Sequence, residues 1–147
     1  LGFVRLLTEA VVEKKKPVLG ICLGMQLFTK SSEEGRLPGL GWIDADTIRF
    51  RQEKLSSEHK VPHMGWDTIS IKRPSPIFQS VADEPRYYFV HSYHLDCHDS
   101  ADICATTLYG YEFTSVVQRG NIIGTQFHPE KSHKFGLGLL KNFAEMA

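Results

Sequence analysis

The sequence predicts an α/β fold, and three observations lead to this class. Residues 1–16 carry a helical apolar stripe, and a short buried strand and a second helix follow it. The middle of the chain changes to short β-rich runs that polar and proline-containing segments separate. A last buried strand then leads into an amphipathic helix at residues 134–146. Helices that alternate with buried strands are typical of a sheet covered by helices.

The first elements are defined by their apolar patterns. Positions 3, 4, 7, 10 and 11 are apolar, which is the spacing of one helix face, and Pro17 stops that helix. Residues 17–21 are apolar without alternation, as in a strand that is buried on both faces. We expect the second helix at residues 23–31 and a loop rich in glycine and proline after it.

The later elements are mostly strands. Five β-rich runs are expected in the middle of the chain, at residues 46–50, 66–71, 87–92, 103–107 and 113–118. Residues 121–127 form one more buried strand before the final helix. Because the chain has no repeat, low-complexity tract or linker, we expect residues 1–147 to form a single domain.

Composition and charge restrict the possible partners and the compartment. The 147 residues include 17 Lys and Arg and 17 Asp and Glu, so the formal net charge is zero. This balance gives no reason to expect a nucleic-acid or membrane partner. No apolar run approaches the roughly 20 residues that span a bilayer. The three cysteines are an odd number without framework spacing, which favours a reducing, cytoplasmic setting.

The first candidate catalytic residue is Cys22. It lies in a Gly-x-Cys-x-Gly segment, between Gly20 and Gly24, where a buried strand is expected to turn into a helix. This is the pattern of a nucleophile elbow with Cys in the place of Ser. A helix N-terminus favours the thiolate, and the N–H of Leu23 is free to donate to an oxyanion. The alternative is a buried structural cysteine between two loop glycines.

The second and third candidates are His128 and Glu130. They directly follow the strand at residues 121–127, so His128 lies at its carboxyl end, where open parallel sheets place their ligands. Pro129 favours an extended path, in which residues two apart point to one side. Glu130 can then accept a hydrogen bond from His128, which completes a nucleophilic triad with Cys22. A surface turn after a core strand is the alternative.

Four motifs resemble those of the class I glutamine amidotransferases. They are Lys16-Pro17-Val18-Leu19-Gly20-Ile21-Cys22-Leu23-Gly24-Met25-Gln26, Pro62-His63-Met64-Gly65-Trp66, Phe89-Val90-His91-Ser92-Tyr93, and QFHPEK at residues 126–131. The second and third are similar to the glutaminase subunit of imidazole glycerol phosphate synthase. The resemblance covers residues 1–146. It implies a flavodoxin-like, open mixed sheet flanked by helices, in a single glutamine amidotransferase domain.

The resemblance also implies the chemistry. Cys22 attacks the carboxamide of glutamine, His128 exchanges protons, Glu130 holds His128, and Leu23 N–H supplies half of the oxyanion hole. No cofactor or metal takes part. The residues implied to bind glutamine are Gln26, Glu34, His91, Ser92 and Tyr93. One helical turn separates Gln26 from Cys22, which independently favours this role for Gln26; a glutamine at the edge of the core or facing solvent is the alternative.

The family begins with a strand, a helix, a second strand and a glycine-rich loop that donates the other oxyanion N–H. We expect these elements to be missing before Leu1, so that the domain is N-terminally truncated. Loss of one oxyanion donor typically lowers turnover by about 10²–10³, so we expect poor activity from the truncated chain.

Two further features carry hypotheses about ligands and partners. Trp66, expected on a loop after Pro62, is a candidate interface anchor, because Trp is enriched at interfaces; an ordinary core position is the alternative. The spacing H-x-x-H-x-x-C-H at residues 91–98 could indicate zinc, but His91 ends a β-run, whereas structural zinc sites usually draw paired ligands from knuckles. We therefore expect no metal.

Three functions remain open from the sequence. The first is a glutaminase that forms a heterodimer with a synthase or cyclase subunit, to which it feeds ammonia in histidine biosynthesis. The second is a paralogous protein that feeds a sugar-modifying synthase in surface-polysaccharide assembly, which residues 133–136 favour. The third is a non-catalytic binding domain, against which the intact triad argues.

Overall fold

A computed structural model describes residues 2–146. This part of the chain forms a mixed sheet flanked by helices, which confirms the predicted α/β class. The α-helices are α1 (Gly2–Thr8), α2 (Leu23–Gln26) and α3 (His133–Ala144). The strands are β1 (Val18–Ile21), β2 (Ser31–Ser32), β3 (Ala45–Arg49), β4 (His63–Thr68), β5 (Ser70–Ile71), β6 (Arg86–His91), β7 (Tyr93–Cys97), β8 (Ile103–Tyr109), β9 (Tyr111–Arg119) and β10 (Ile122–Thr125).

The sheet order places the ends of β1 and β10 side by side. The main sheet runs β1-β10-β9-β7-β3-β2, with β8 on β9 and β5 on β8, while β4 and β6 form a separate pair. β1 and β10 are parallel, with Ile21 opposite Thr125, whereas β10 and β9 are antiparallel. Because parallel neighbours end at the same edge, the residues after Ile21 and after Thr125 emerge together.

The first helix is shorter and less buried than its apolar stripe predicts. After α1 the chain continues as a π-helical turn, Glu9–Glu13, whose wider hydrogen bonding changes which side chains share a face. Val11 is buried, but Phe3 and Leu6 are 70% and 64% exposed. Position 1 of the predicted stripe lies outside the described residues. None of the described helices has the length and apolar character needed to cross a membrane.

The second helix was predicted to reach residue 31, and this is wrong. α2 is one turn long, because the chain tightens after it: Phe28 N–H donates to Met25 O, and the Thr29 hydroxyl donates to Gln26 O. Ser31 then belongs to β2, which pairs in parallel with β3.

Four of the five runs predicted in the middle region correspond to β3, β6, β8 and β9, with small differences in their limits. The run at residues 66–71 is instead divided between β4 and β5, which belong to different sheets, and one strand was missed. β7 was not predicted, because His94 and Leu95 are buried in succession and the strand lacks simple alternation. Trp66 lies in β4 and not on a loop, which corrects the placement made from Pro62. Two hydrophobic clusters form the core, one around Phe50, Phe89 and Phe127 and the other around Met25 and Ile43, among others. That residues 1–147 form one domain stays a prediction.

Candidate active site

Cys22 lies at a sharp turn between β1 and α2. Its backbone has φ 52° and ψ −106°, a region that residues other than glycine rarely adopt, and its N–H donates to Thr125 O at 2.7 Å. A Cβ at position 20 would lie 2.6 Å from the Phe28 ring and 2.7 Å from the backbone of Gly24. Gly20 is therefore required by close packing. At Gly24 a Cβ would meet nothing within 4 Å, so of the two glycines that flank Cys22 only Gly20 is required by packing.

The thiol of Cys22 is held in its protonated form. Burial raises its pKa above the ordinary value, and the N–H of Leu23, which bonds the sulfur, offsets only part of this increase. The N–H at the start of α2 lowers the pKa, as a helix N-terminus predicts, but burial outweighs this effect and the net change is an increase. α2 is only one turn long and its dipole is small, whereas the desolvation of the sulfur is substantial.

Two further groups contact the sulfur. The thiol donates to Val90 O at 3.8 Å, and Gln126 Nε2 donates to the sulfur at 3.6 Å. Gln126 is completely buried and immediately follows β10. These contacts attach Cys22 to the ends of β6 and β10, beyond its own strand.

His128 and Glu130 form a close pair beside Cys22. His128 Nδ1 lies 2.5 Å from Glu130 Oε1, and the charges of Glu130 and Lys131 act on the pKa of the Cys22 thiol in opposite directions. His128 itself is extended, as Pro129 predicts, but Glu130 reaches it from a 3₁₀ turn, Pro129–Lys131, and not along a continuing extended path. No hydrogen bond joins Cys22 to His128 among the contacts of residues 2–146.

Ser132 holds the turn that carries His128. It is fully buried, its hydroxyl donates to His128 O at 2.6 Å, and it accepts from Tyr88 N–H at 2.9 Å. The His128 N–H donates in turn to Tyr88 O at 2.9 Å. The turn is thereby fixed to β6.

A cleft of about 420 Å³ opens beside the elbow, and the predicted residues Gln26 and Glu34 both line it, together with Leu23. The amide of Gln26 is buried, and its Nε2 donates to Tyr93 O and to Gln126 Oε1, both at 3.3 Å. Glu34 is exposed. Gln26 is therefore fixed in place, while Glu34 is open to solvent.

The segment His91-Ser92-Tyr93 meets the site through its backbone. It joins β6 to β7, and the carbonyl of Tyr93 faces Gln26. The carbonyl of Ser92 accepts from Phe50 N–H, and the imidazole of His91 contacts His63, so neither of these groups bonds Gln26 or Cys22.

Residues 2–146 match the family described as Glutamine amidotransferase class-I. The chain belongs to the class I glutamine amidotransferases. It is 51% identical over its whole length to imidazole glycerol phosphate synthase subunit HisH 2 of Methanococcus maripaludis, of which it covers 71%. It is 50% identical over 99% of its length to the protein of that name from Pseudomonas aeruginosa, of which it covers 70%. The HisH subunit of Leptospira interrogans is 44% identical, with 99% of this chain and 71% of that protein covered.

The fold of this class I amidotransferase chain is similar to that of solved glutamine amidotransferase structures. A glutamine amidotransferase from Thermotoga maritima has a TM-score of 0.62 at 22% identity, over 96% of this chain and 52% of that one. Another solved glutamine amidotransferase has a TM-score of 0.68 at 16% identity, over 97% of this chain and 69% of that one.

Trp66 forms an exposed aromatic patch of this amidotransferase with Met64, since alternate residues of β4 share a face. Trp66 is 46% exposed and Met64 is 61% exposed. The Trp66 ring stacks on His133 with centroids 5.5 Å apart and an angle of 5° between the planes. Because His133 begins α3, the patch adjoins the helix that follows the His128 turn.

The H-x-x-H-x-x-C-H spacing places its side chains against separate partners. His91 contacts His63, His94 contacts the hydroxyl of Tyr111, and His98 contacts Asp44. The described residues contain no group of three or more metal-ligating side chains.

Sequence reasoning assigned no role to Gln126 or Ser132. Gln126 is the first residue of the QFHPEK motif, and Ser132 directly follows the motif. Their roles depend on contacts that the motif does not specify, with α2 for Gln126 and with β6 for Ser132. A fully buried polar residue at the end of a strand was the available signal for Gln126.

Proposed function

We propose that this chain is the glutaminase subunit of an imidazole glycerol phosphate synthase and releases ammonia from glutamine for histidine biosynthesis. The observation that carries the proposal is the identity of 44–51% to HisH subunits over nearly the whole chain. The site supports the proposal, because it contains a cysteine with a strained backbone and a paired histidine and glutamate, which are the groups that thioester chemistry requires.

In the first half of the proposed reaction, the sulfur of Cys22 attacks the carboxamide carbon of glutamine. The thiol proton passes to His128, and the N–H of Leu23 stabilises the oxyanion. The C–N bond then breaks, His128 gives its proton to the departing ammonia, and a thioester remains on Cys22. The raised pKa of the thiol makes this transfer to His128 necessary.

In the second half, water attacks the thioester. His128 takes a proton from the water as the C–O bond forms, and it returns the proton to the sulfur as the C–S bond breaks. Glu130 accepts a hydrogen bond and cannot donate one when ionised, so Nδ1 of His128 carries the hydrogen and Nε2 remains available for proton exchange.

Glutamine is proposed to occupy the cleft beside Gln26 and Glu34, where the Tyr93 carbonyl holds the amide of Gln26 in place. The ammonia passes to a cyclase subunit that docks against the patch of Met64 and Trp66. Free thiols at Cys22, Cys97 and Cys104 fit the proposed cytoplasmic location.

Glutamate release from glutamine tests the proposal, with and without an imidazole glycerol phosphate synthase cyclase subunit. We expect release by the wild type, loss of release in Cys22→Ala and little change in Cys97→Ala. Release that a sugar-modifying synthase stimulates, and the cyclase does not, would instead identify the polysaccharide paralogue. Equal release by wild type and Cys22→Ala would contradict the mechanism.

A further inference from the structure

A row of hydrogen bonds connects β4 with the wall of the glutamine cleft. Asp67 Oδ2 lies 3.1 Å from His63 Nε2, and His63 Nδ1 lies 3.0 Å from His91 Nε2. His91 Nδ1 lies 2.7 Å from Tyr93 O, and the same carbonyl accepts from Gln26 Nε2 at 3.3 Å. Each group in this row therefore restrains the next, from a side chain that is partly exposed to one that lines the cleft.

The direction of these hydrogen bonds follows from the chemistry of the groups. Burial lowers the pKa of His91 to about 3, so His91 is neutral and has one N–H. Because a carbonyl only accepts, that hydrogen lies on Nδ1 and points to Tyr93 O. His91 Nε2 is then an acceptor, and His63 must donate to it from Nδ1.

Asp67 completes this arrangement. With the hydrogen of His63 on Nδ1, its Nε2 and a carboxylate oxygen would be two acceptors facing each other at 3.1 Å. The contact is favourable only when a proton lies between them, on either His63 or Asp67. Asp67 therefore holds the His63 ring in the orientation that donates to His91.

The surroundings make the arrangement costly to change. His63 and His91 are 3% and 6% exposed. The His63 ring lies between Phe89, at a centroid distance of 4.8 Å, and Tyr109, at 4.0 Å. Water cannot readily replace a lost partner in such a position, so an unpaired ring nitrogen is unfavourable there.

We propose that His63, held by Asp67, is a positioning residue of the glutamine site. It fixes the imidazole of His91, and His91 fixes the Tyr93 carbonyl and with it the amide of Gln26. The inference rests on the proposed function and deepens it, because it assigns a role in substrate binding to residues that do not line the cleft.

The test compares His63→Asn with His63→Leu in the full-length protein bound to its cyclase subunit. The amide nitrogen of Asn occupies nearly the position of Nδ1 and can donate to His91, whereas Leu has similar bulk and no donor. We expect His63→Leu to raise the KM for glutamine about tenfold, as for one lost buried hydrogen bond, and to change kcat less. His63→Asn should recover most of the wild-type KM.

Asp67→Asn provides a second comparison, because its amide can donate to a neutral His63 and keep the row intact. We expect its KM to stay near that of the wild type. Thermal unfolding of each variant separates loss of fold from loss of positioning. An equal rise in KM for Asn and Leu at position 63 would indicate packing alone and would overturn the proposal, as would an unchanged KM in His63→Leu.

The nitrogen-15 resonances of the histidine rings give a test that needs no turnover. We expect a neutral His91 with its hydrogen on Nδ1 and a His63 protonated at Nδ1. A His91 hydrogen on Nε2 would overturn the inference even if His63→Leu does not fold. If the wild-type protein releases no glutamate, both the proposed function and this inference fail. If the wild type is active but substitution of His63 does not change the KM, only this inference fails.

Discussion

At the scale of single residues, the thiols differ in how strongly burial suppresses ionisation. Burial raises the pKa of Cys97 to about 12 and that of Cys104 to about 11, while the increase at Cys22 is partly offset by Leu23 N–H and Gln126. Cys22 also lies at the turn before α2, next to Leu23, which lines the cleft. It is therefore the thiol that combines access with the smallest barrier to deprotonation.

We predict that a glutamine-mimicking electrophile labels Cys22 and spares Cys97 and Cys104. The rate at which iodoacetamide alkylates Cys22 should increase with pH above neutral, because the raised pKa of the thiol leaves little thiolate at pH 7. Peptide mapping by mass spectrometry measures both. Label on Cys97, or a rate at Cys22 that is independent of pH, would contradict the assignment.

We predict that Glu130→Gln lowers kcat by about 10²–10⁴ and changes the KM for glutamine much less. Glu130 fixes the hydrogen of His128 on Nδ1, and an amide can present its donor to that nitrogen and favour the other tautomer. Steady-state glutamate release measures the effect, and Glu58→Gln, at an exposed turn, is the control. Normal kcat with weaker binding would mean that Glu130 contacts the substrate.

The sequence identified the candidate triad because its residues lie at the ends of two recognisable strands. It did not reveal the protonated state of Cys22, since that depends on burial of the sulfur in the fold, which raises the thiol pKa and which no motif specifies. Ser132 was missed for a similar reason, because its role arises from contact with Tyr88.

At the scale of elements, α3 packs directly on the turn that carries Glu130. A Cβ at Gly136 would overlap the carbonyl of Pro129, whereas a Cβ at Gly138 in the same helix would meet nothing within 4 Å. The absence of a side chain at Gly136 therefore lets helix and turn approach each other.

We predict that Gly136→Ala destabilises the protein by about 1–3 kcal/mol through overpacking and displaces the turn of Glu130. Gly138→Ala is the matched control and should be neutral or stabilise by up to about 1 kcal/mol, because Ala favours helix. Urea unfolding measures the difference, and the rate of Cys22 labelling by the glutamine analogue reports on the site. Equal stability of the two variants would show that the helix can shift without cost.

The helices were the least predictable elements. The apolar stripe of residues 1–16 indicates a helix correctly, but a single π-helical turn changes its register. α2 stops early because side-chain and backbone groups at Thr29 compete for the carbonyls of the helix, which is a local hydrogen-bonding choice that periodicity does not contain. β10 was predictable because all four of its residues are buried, and α3 because its apolar residues recur with a helical period, although Leu137 is 70% exposed.

At the scale of the whole molecule, the patch of Met64 and Trp66 is the proposed contact with the cyclase. We predict that Trp66→Ala weakens cyclase binding about tenfold or more and reduces stimulated glutamate release more than basal release. Leu108→Ala is the control, since Leu108 is 69% exposed near the tip of the β8–β9 hairpin. Stimulation that survives in Trp66→Ala and fails in Leu108→Ala would move the interface to the hairpin.

The protonated thiol of Cys22 also bears on how long the molecule survives in an oxidising cell. Hydrogen peroxide attacks thiolates far faster than thiols, and overoxidised cysteine is not restored in most proteins. In the proposed mechanism, burial of Cys22 keeps the thiolate scarce until His128 accepts the proton during an encounter with substrate. If the proposed mechanism holds, the resting protein is shielded from damage by peroxide, because the reactive thiolate forms mainly when glutamine is bound to react with it.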